Sequence, residues 1–327
     1  MLFRSGKVFE GLNPTNVMAE IVRRTEVNMD FSDVVGNEAA PPPTWLYLRE
    51  NKLSYDVSMP LTITGCLSVL TLDQTPQSVL LRLKGICQEA FENVIADMNR
   101  NYERFRRATG QESEKLPWQA KTVEFGELYR EAVRDHGAVF LEAYDKELKA
   151  LGDKVREGEE SFIMANFRLV DFVYDYIQDL SPRVVIGLCP PYYPNAANVL
   201  RQEEHTEELQ KKLFAFVEET FGQTYTGEHY YTGISDLSYS GLEDAVQVAA
   251  SLAESMPFFG NLYTLPLEEM KRISMPCVNI GPWGKDFHKL TERVYKEDLY
   301  LRTPAILKYA IAQVFGDKEG KRTEEVK

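Results

Sequence analysis

The sequence predicts an α/β protein, with part of a doubly wound, mainly parallel sheet joined to a smaller α+β domain. Three observations lead there. The second half of the 327-residue chain alternates short apolar runs with helical periods. The run Val184-Val185-Ile186-Gly187-Leu188 is apolar throughout, as a strand covered on both faces would be. The first half instead carries two long amphipathic helices and one stretch, residues 55–72, rich in β-branched residues.

The elements follow in order. Asn13 offers an N-cap and Pro14 a first helical position, with Val17, Met18, Ile21 and Val22 on one face. Pro41-Pro42-Pro43 excludes helix. Thr75-Pro76 opens a helix in which Val79, Leu80, Leu83, Ile86, Cys87, Ala90, Phe91, Val94 and Ile95 recur at helical spacing. The charged stretch 99–115 ends it. A second long helix is expected over 125–151. Gly152 and the charged residues to Glu160 read as a junction, so domains are expected at 1–155 and 156–316, followed by a charged tail at 317–327. Beyond the junction the pattern gives helix at 161–180, strand at 184–188, helix at 204–221, strand at 229–231, helix at 242–253 and strand at 277–280. A closing helix starts at Thr303-Pro304.

The balance of 50 acidic against 37 basic residues gives a net charge of −13. That charge argues against nucleic acid and against anionic membrane surfaces as partners. No window approaches the roughly 20 apolar residues that span a bilayer. Cys66, Cys87, Cys189 and Cys277 form no Cys-x-x-Cys pair and read as reduced thiols. Residues 1–6 lack the apolar run of a secretory leader, so a cytoplasmic location is expected.

Chemistry concentrates in Met275-Pro276-Cys277-Val278-Asn279-Ile280-Gly281-Pro282-Trp283-Gly284-Lys285-Asp286-Phe287-His288, followed by Glu292. It reads as a buried strand running into a Gly-Pro-Trp-Gly turn. The space outside strand ends is where α/β folds bind ligands, and Gly281 and Gly284 let backbone approach a ligand closely. From spacing alone, His288 reads first as a surface or helix-start histidine without chemistry, and second as a metal ligand or proton carrier. Runs such as Glu203-Glu204-His205 and Glu207-Glu208 read as solvated helix faces. Gly233-Ile234-Ser235-Asp236-Leu237 lacks the second glycine of a nucleophile elbow, and no Ser-His-Asp set accompanies it.

Three segments together resemble the dizinc aminoacylase/carboxypeptidase family of metallopeptidases, and within it the RocB-like, arginine-utilisation branch. The first is Arg4-Ser5-Gly6-Lys7-Val8-Phe9-Glu10-Gly11-Leu12-Asn13, which resembles the segment opening the family's inserted lid. The second is Gly233-Ile234-Ser235-Asp236-Leu237-Ser238-Tyr239, where the family carries Gly-Gly-Thr-Asp. The third is Gly281-Pro282-Trp283-Gly284 with His288 and Glu292, which resembles a Gly-Pro-Gly…His…Glu segment whose histidine binds zinc. Val185-Ile186-Gly187 with Cys189-Pro190-Pro191-Tyr192-Tyr193-Pro194 is similar to the RocB-like branch in particular.

The resemblance implies a lid and dimerisation domain at 1–155 and the C-terminal part of a catalytic domain at 156–316. It implies two zinc ions in the parent enzyme, with His288 as a ligand. Gly281, Trp283, Gly284, Asp236 and Glu292 would shape the substrate pocket. Asp236 would otherwise cap a local turn. The implied substrate is a small peptide or an acylated amino acid, and the implied assembly is a homodimer through the lid.

The sequence departs from the family in several places. The family's His-x-Asp motif, bridging Asp and Glu-Glu pair precede the lid, and this chain contains none of them. The chain is therefore expected to be part of such a hydrolase and inactive by itself, with a non-enzymatic dimerisation module as the alternative. His136, His205 and His229 match no family ligand position. Arg4 stands where the family's lid histidine would meet an oxyanion. An arginine can donate there but cannot exchange protons near neutrality. Tyr55-Asp56-Val57-Ser58-Met59-Pro60 loosely resembles a lid segment that holds a substrate carboxylate, which Asp56 would repel.

Overall fold

Asn13 accepts a hydrogen bond from the Thr15 N–H, and Pro14 fills the first turn of α1 (Pro14–Thr25). The computed structural model describes residues 7–51, 58–194, 204–231 and 233–316. A short 3-10 turn, Met29–Phe31, leads into β1 (Val34–Val35) and β2 (Glu38–Ala39), a hairpin that turns at Gly36 with φ 58°. β3 (Thr44–Glu50) pairs antiparallel with β4 (Ile63–Ser68), with a register shift between Trp45 and Tyr47. The sequence led us to expect β4 but not β3.

Thr75 caps α2 (Pro76–Ala108) through the Ser78 N–H. β5 (Thr122–Glu124) runs directly into α3 (Phe125–Arg156), where Glu124 and Glu127 form a reciprocal capping box. Helical geometry breaks inside α3 at Gly137, with φ 54° and ψ −131°. Ser161 caps α4 (Phe162–Tyr174). β6 (Val184–Ile186) pairs parallel with β5, with Thr122 opposite Val184 and Glu124 opposite Ile186. The remaining elements are α5 (Glu204–Phe221), α6 (Ala245–Ser255), α7 (Leu267–Arg272), β7 (Gly284–Lys285), β8 (Arg293–Val294), a π-helical turn at Asp298–Arg302, and α8 (Thr303–Phe315).

The chain divides into two compact units: Met1–Tyr193 with Asp244–Glu269, and Pro194–Glu243 with Met270–Lys327. The first unit has two cores. Val17 and Ile21 of α1 meet Leu80, Cys87, Ala90, Phe91 and Val94 of α2 and Ile186 of β6. Phe125, Leu128, Phe140, Tyr144 and Leu148 of α3 pack with Ala165, Leu169 and Val173 of α4 and with Phe258. Burial of each such large apolar side chain contributes about 1.5–3 kcal/mol. The junction expected near residue 155 falls inside this unit, between two helices that share a core. In the second unit Leu213 and Val217 of α5 pack on Ile306 and Ala310 of α8, and Phe216 stacks on Tyr309 at 4.2 Å.

The described residues therefore form a mixed α/β fold with four two-stranded sheets, of which β5–β6 is the parallel one. A doubly wound sheet does not appear among them. Two expected strands are also not formed. Among the described residues, 229–231 and 277–280 belong to no strand, and Val278 is 43% exposed rather than covered on both faces. Apolar runs of that length identify a strand only where a neighbouring strand supplies hydrogen bonds. The helix expected over 161–180 ends at Tyr174, six residues early. No described helix is long and apolar enough to cross a membrane.

Candidate functional site

The segment carrying Asp236 is tied to the segment leading to His288. Residues Asp236–Ser240 form a 3-10 turn, capped by Ser235, whose Oγ accepts from the Leu237 N–H at 3.2 Å. The cap is thus Ser235, and the exposed Asp236 carboxylate is left facing solvent. Ser240 is the joint. Its Oγ donates to the Leu237 carbonyl at 2.7 Å and accepts from the Cys277 thiol at 2.8 Å. Its carbonyl accepts from the Met275 N–H at 3.1 Å. Two residues on, the Leu242 N–H donates to Ser274 Oγ at 3.2 Å. Residues far apart in sequence, 236–242 and 274–277, thus run side by side.

Beyond Ile280 the chain enters the Gly-Pro-Trp-Gly turn. A Cβ on Gly284 would lie 3.0 Å from the Arg293 carbonyl and 3.3 Å from the Phe287 ring, so the close approach of β7 to β8 needs glycine there. Gly281 has open space around its α-carbon. The Trp283 backbone is anchored on both sides: its N–H donates to Asp298 Oδ2 at 3.2 Å and its carbonyl accepts from the Tyr295 N–H at 2.8 Å. Trp283 as a residue is 57% exposed, with Lys285 Nζ 5.2 Å from the ring centroid.

Behind this turn lies a charged cluster that sequence reasoning missed. Asp298 is buried and accepts from Arg302 at 2.9 Å as well as from Trp283. Arg302 also donates to Glu297 at 2.8 Å and lies 5.7 Å from the Tyr295 ring. Its guanidinium is held further up than usual, first by the hydrogen bond to Asp298. The Tyr295 hydroxyl donates to Glu297 at 2.8 Å, which raises its pKa. The spacing of Asp298 and Arg302, four apart, was the available signal.

His288 sits in the loop between β7 and β8, its ring exposed. It and Asp286 both take left-handed backbone conformations, with φ 60° and 59°. Such residues typically carry strain and gather at functional sites. The loop is laced internally. The His288 N–H donates to Glu292 Oε2 at 3.2 Å, the Lys289 N–H to the Asp286 carbonyl at 3.0 Å, and the Thr291 hydroxyl to Asp286 Oδ2 at 2.9 Å. Asp286 also pairs with Arg293. Glu292 therefore holds the backbone of His288 and not its ring. Gly284, His288 and Glu292 share one hairpin. The Asp236 carboxylate and the His288 ring make no hydrogen bond among the described residues. Arg4, Asp56 and Glu203 lie outside the described residues, as does the side chain of His205.

A dizinc centre needs several donors converging on each ion. Among the described residues no three or more His, Cys, Asp or Glu side chains gather closely enough to hold a metal ion. His288 with Glu292 does not make up such a donor set, so the described residues alone do not fit the two-zinc centre.

No family model matches the chain, and no solved structure matches it. Two curated relatives from Bacillus subtilis (strain 168) do. The uncharacterized protein YqjN is 25% identical over 315 residues, covering 96% of this chain and 55% of that protein. Protein RocB is 23% identical over 306 residues, covering 92% of this chain and 52% of that protein. The chain spans about half the length of these relatives, and along nearly all of its own length it is similar to RocB and YqjN.

Proposed function

We propose that the protein is part of a RocB-like hydrolase that cleaves an amide bond in a small peptide or N-acyl amino acid, in the cytoplasm, within arginine utilisation. In this reading residues 1–155 correspond to the lid, through which a homodimer forms. Residues 156–316 correspond to the C-terminal part of a catalytic domain whose doubly wound sheet is completed by segments outside the described residues. His288 is one zinc ligand, and the remaining donors for two ions come from elsewhere in the complete protein. Gly281, Trp283 and Gly284 line the substrate pocket with Asp236 and Glu292; Arg4, outside the described residues, takes the place in sequence of the family's lid histidine.

The observation that carries this reading is the alignment with RocB across 92% of the chain, which takes in the Asp236 and His288 segments. Two features of the second unit support it. The Asp236 segment is bonded through Ser240 to the stretch that leads to His288. His288 and Asp286 also hold left-handed backbone in a loop fixed by its own hydrogen bonds. The four free cysteines accord with a reducing compartment.

A second reading, a dimerisation module without catalysis, rests on the observation that no group of three metal donors gathers among the described residues. Assay of the native gene product against N-acyl amino acids and dipeptides separates the two. The hydrolase reading expects turnover, reduced at least about 100-fold in His288→Ala, since even outer-shell partners of a metal cost roughly 10–100-fold. A dimer that turns over none of these substrates would overturn it in favour of the second reading.

A further inference from the structure

The closing helix, α8, is apolar on both of its faces. On the inner face Ile306 and Ala310 are buried against Leu213 and Val217 of α5, and Tyr309 stacks on Phe216. On the outer face Leu307, Ile311, Val314 and Phe315 recur at helical spacing and are all exposed. Lys308 is the one charged residue among the 13 of this helix. The exposed apolar strip continues back into the π-helical turn through Leu299, Tyr300 and Leu301.

The helix beside it shows what a solvated face is in the same unit. α5 packs on α8 through Leu213 and Val217, and it leaves Glu207, Glu208, Lys211, Lys212, Glu218 and Glu219 exposed. That is the ordinary division of a surface helix into one apolar stripe and one polar face. A helix that is apolar all round belongs instead to an interior, covered on both sides. A continuous apolar strip left open to water marks a surface that meets another.

We propose that the outer face of α8 is an internal face of the complete protein, covered by an apolar segment from the length that its relatives carry beyond the region shared with this chain. Two arguments select that occupant. The match takes in 55% of YqjN and 52% of RocB, so close to half of each relative lies outside it. The second argument is area. With 13 residues, α8 is about 20 Å long and about 10 Å across, and one face of it offers only a few hundred Å². Each partner in a stable complex contributes about 800 Å². A second copy or a separate protein seated on α8 alone would lose its translational and rotational freedom for that small contact, whereas a segment of the same polypeptide does not. The inference rests on the reading above only in taking this chain as part of a larger protein.

The test is hydroxyl-radical footprinting of the native gene product, read by mass spectrometry at high and at low protein concentration. Ile311 is 59% exposed, and the aliphatic references are Leu81 at 66% and Leu180 at 80%. The expected result is oxidation of Ile311 and Phe315 severalfold slower than that of Leu81 and Leu180, at both concentrations. Lysine cross-linking of the same sample is expected to join Lys308 to a peptide from outside residues 1–327. Ile311 oxidised as fast as Leu81 and Leu180 would overturn the proposal. So would protection that is lost on dilution, which marks a second copy, or cross-links from Lys308 confined to residues 1–327. Neither readout uses metal or turnover. A covered α8 in a protein without zinc or turnover would therefore sink the hydrolase reading alone, and a bare α8 in an active zinc hydrolase would sink this inference alone.

Discussion

One carboxylate fixes the entry to α2. Asp33 is 6% exposed, and its Oδ2 accepts from the N–H groups of Leu72, Asp73 and Gln74, each at 2.8 Å. Removing it strands three backbone donors at once. We expect Asp33→Ala to lower stability by on the order of 3 kcal/mol, read from the urea midpoint; a loss below about 0.5 kcal/mol would contradict this role. Asp171 on α4 acts in the opposite sense. Burial, followed by the nearby Asp175 charge, pushes its carboxyl from an ordinary 3.8 up to about 6. The folded protein therefore holds this proton more tightly than the unfolded chain between those two values. Stability falls as pH rises across that window and stays lower above it. Asp171→Asn removes the penalty. The variant should gain up to about 3 kcal/mol at pH 7 and nothing below about pH 4, in urea titrations at the two pH values.

At the scale of elements, two glycines in long helices should respond with opposite signs. Gly137 interrupts α3 at φ 54° and ψ −131°, a conformation that side chains resist. Gly85 sits on the exposed face of α2, with nothing within 4 Å of an added Cβ. Gly137→Ala should cost about 1–3 kcal/mol. Gly85→Ala should add about 0.5–1 kcal/mol. Thermal unfolding of both variants checks the pair, and equal shifts would contradict it.

Elements with local start signals were legible in the sequence. Asn13-Pro14, Thr75-Pro76 and Thr303-Pro304 each mark a helix that begins there. The Gly137 break was not legible, because a glycine within an amphipathic period leaves the period intact. β3 was missed because Thr44-Trp45-Leu46-Tyr47-Leu48-Arg49-Glu50 follows a proline run and is settled by its pairing with β4. Residues 277–280 have the composition of a buried strand, but pairing is a property of neighbours that composition does not contain. The hairpin carrying His288 was visible as a glycine-bounded turn; the buried Asp298 and Arg302 behind it were not.

At the scale of the molecule, two units are each organised around their own apolar residues, and similarity to RocB and YqjN runs through both. The functional account narrows to one imidazole. His288 is exposed and lies on left-handed backbone, and it is the residue proposed above as a zinc ligand. The measurement that tests this most directly is the zinc content of the native gene product, purified under metal-controlled conditions, compared with that of His288→Ala. The account predicts bound zinc that falls clearly in the variant while folding is retained. Equal zinc in the two proteins, or none in either, would contradict it.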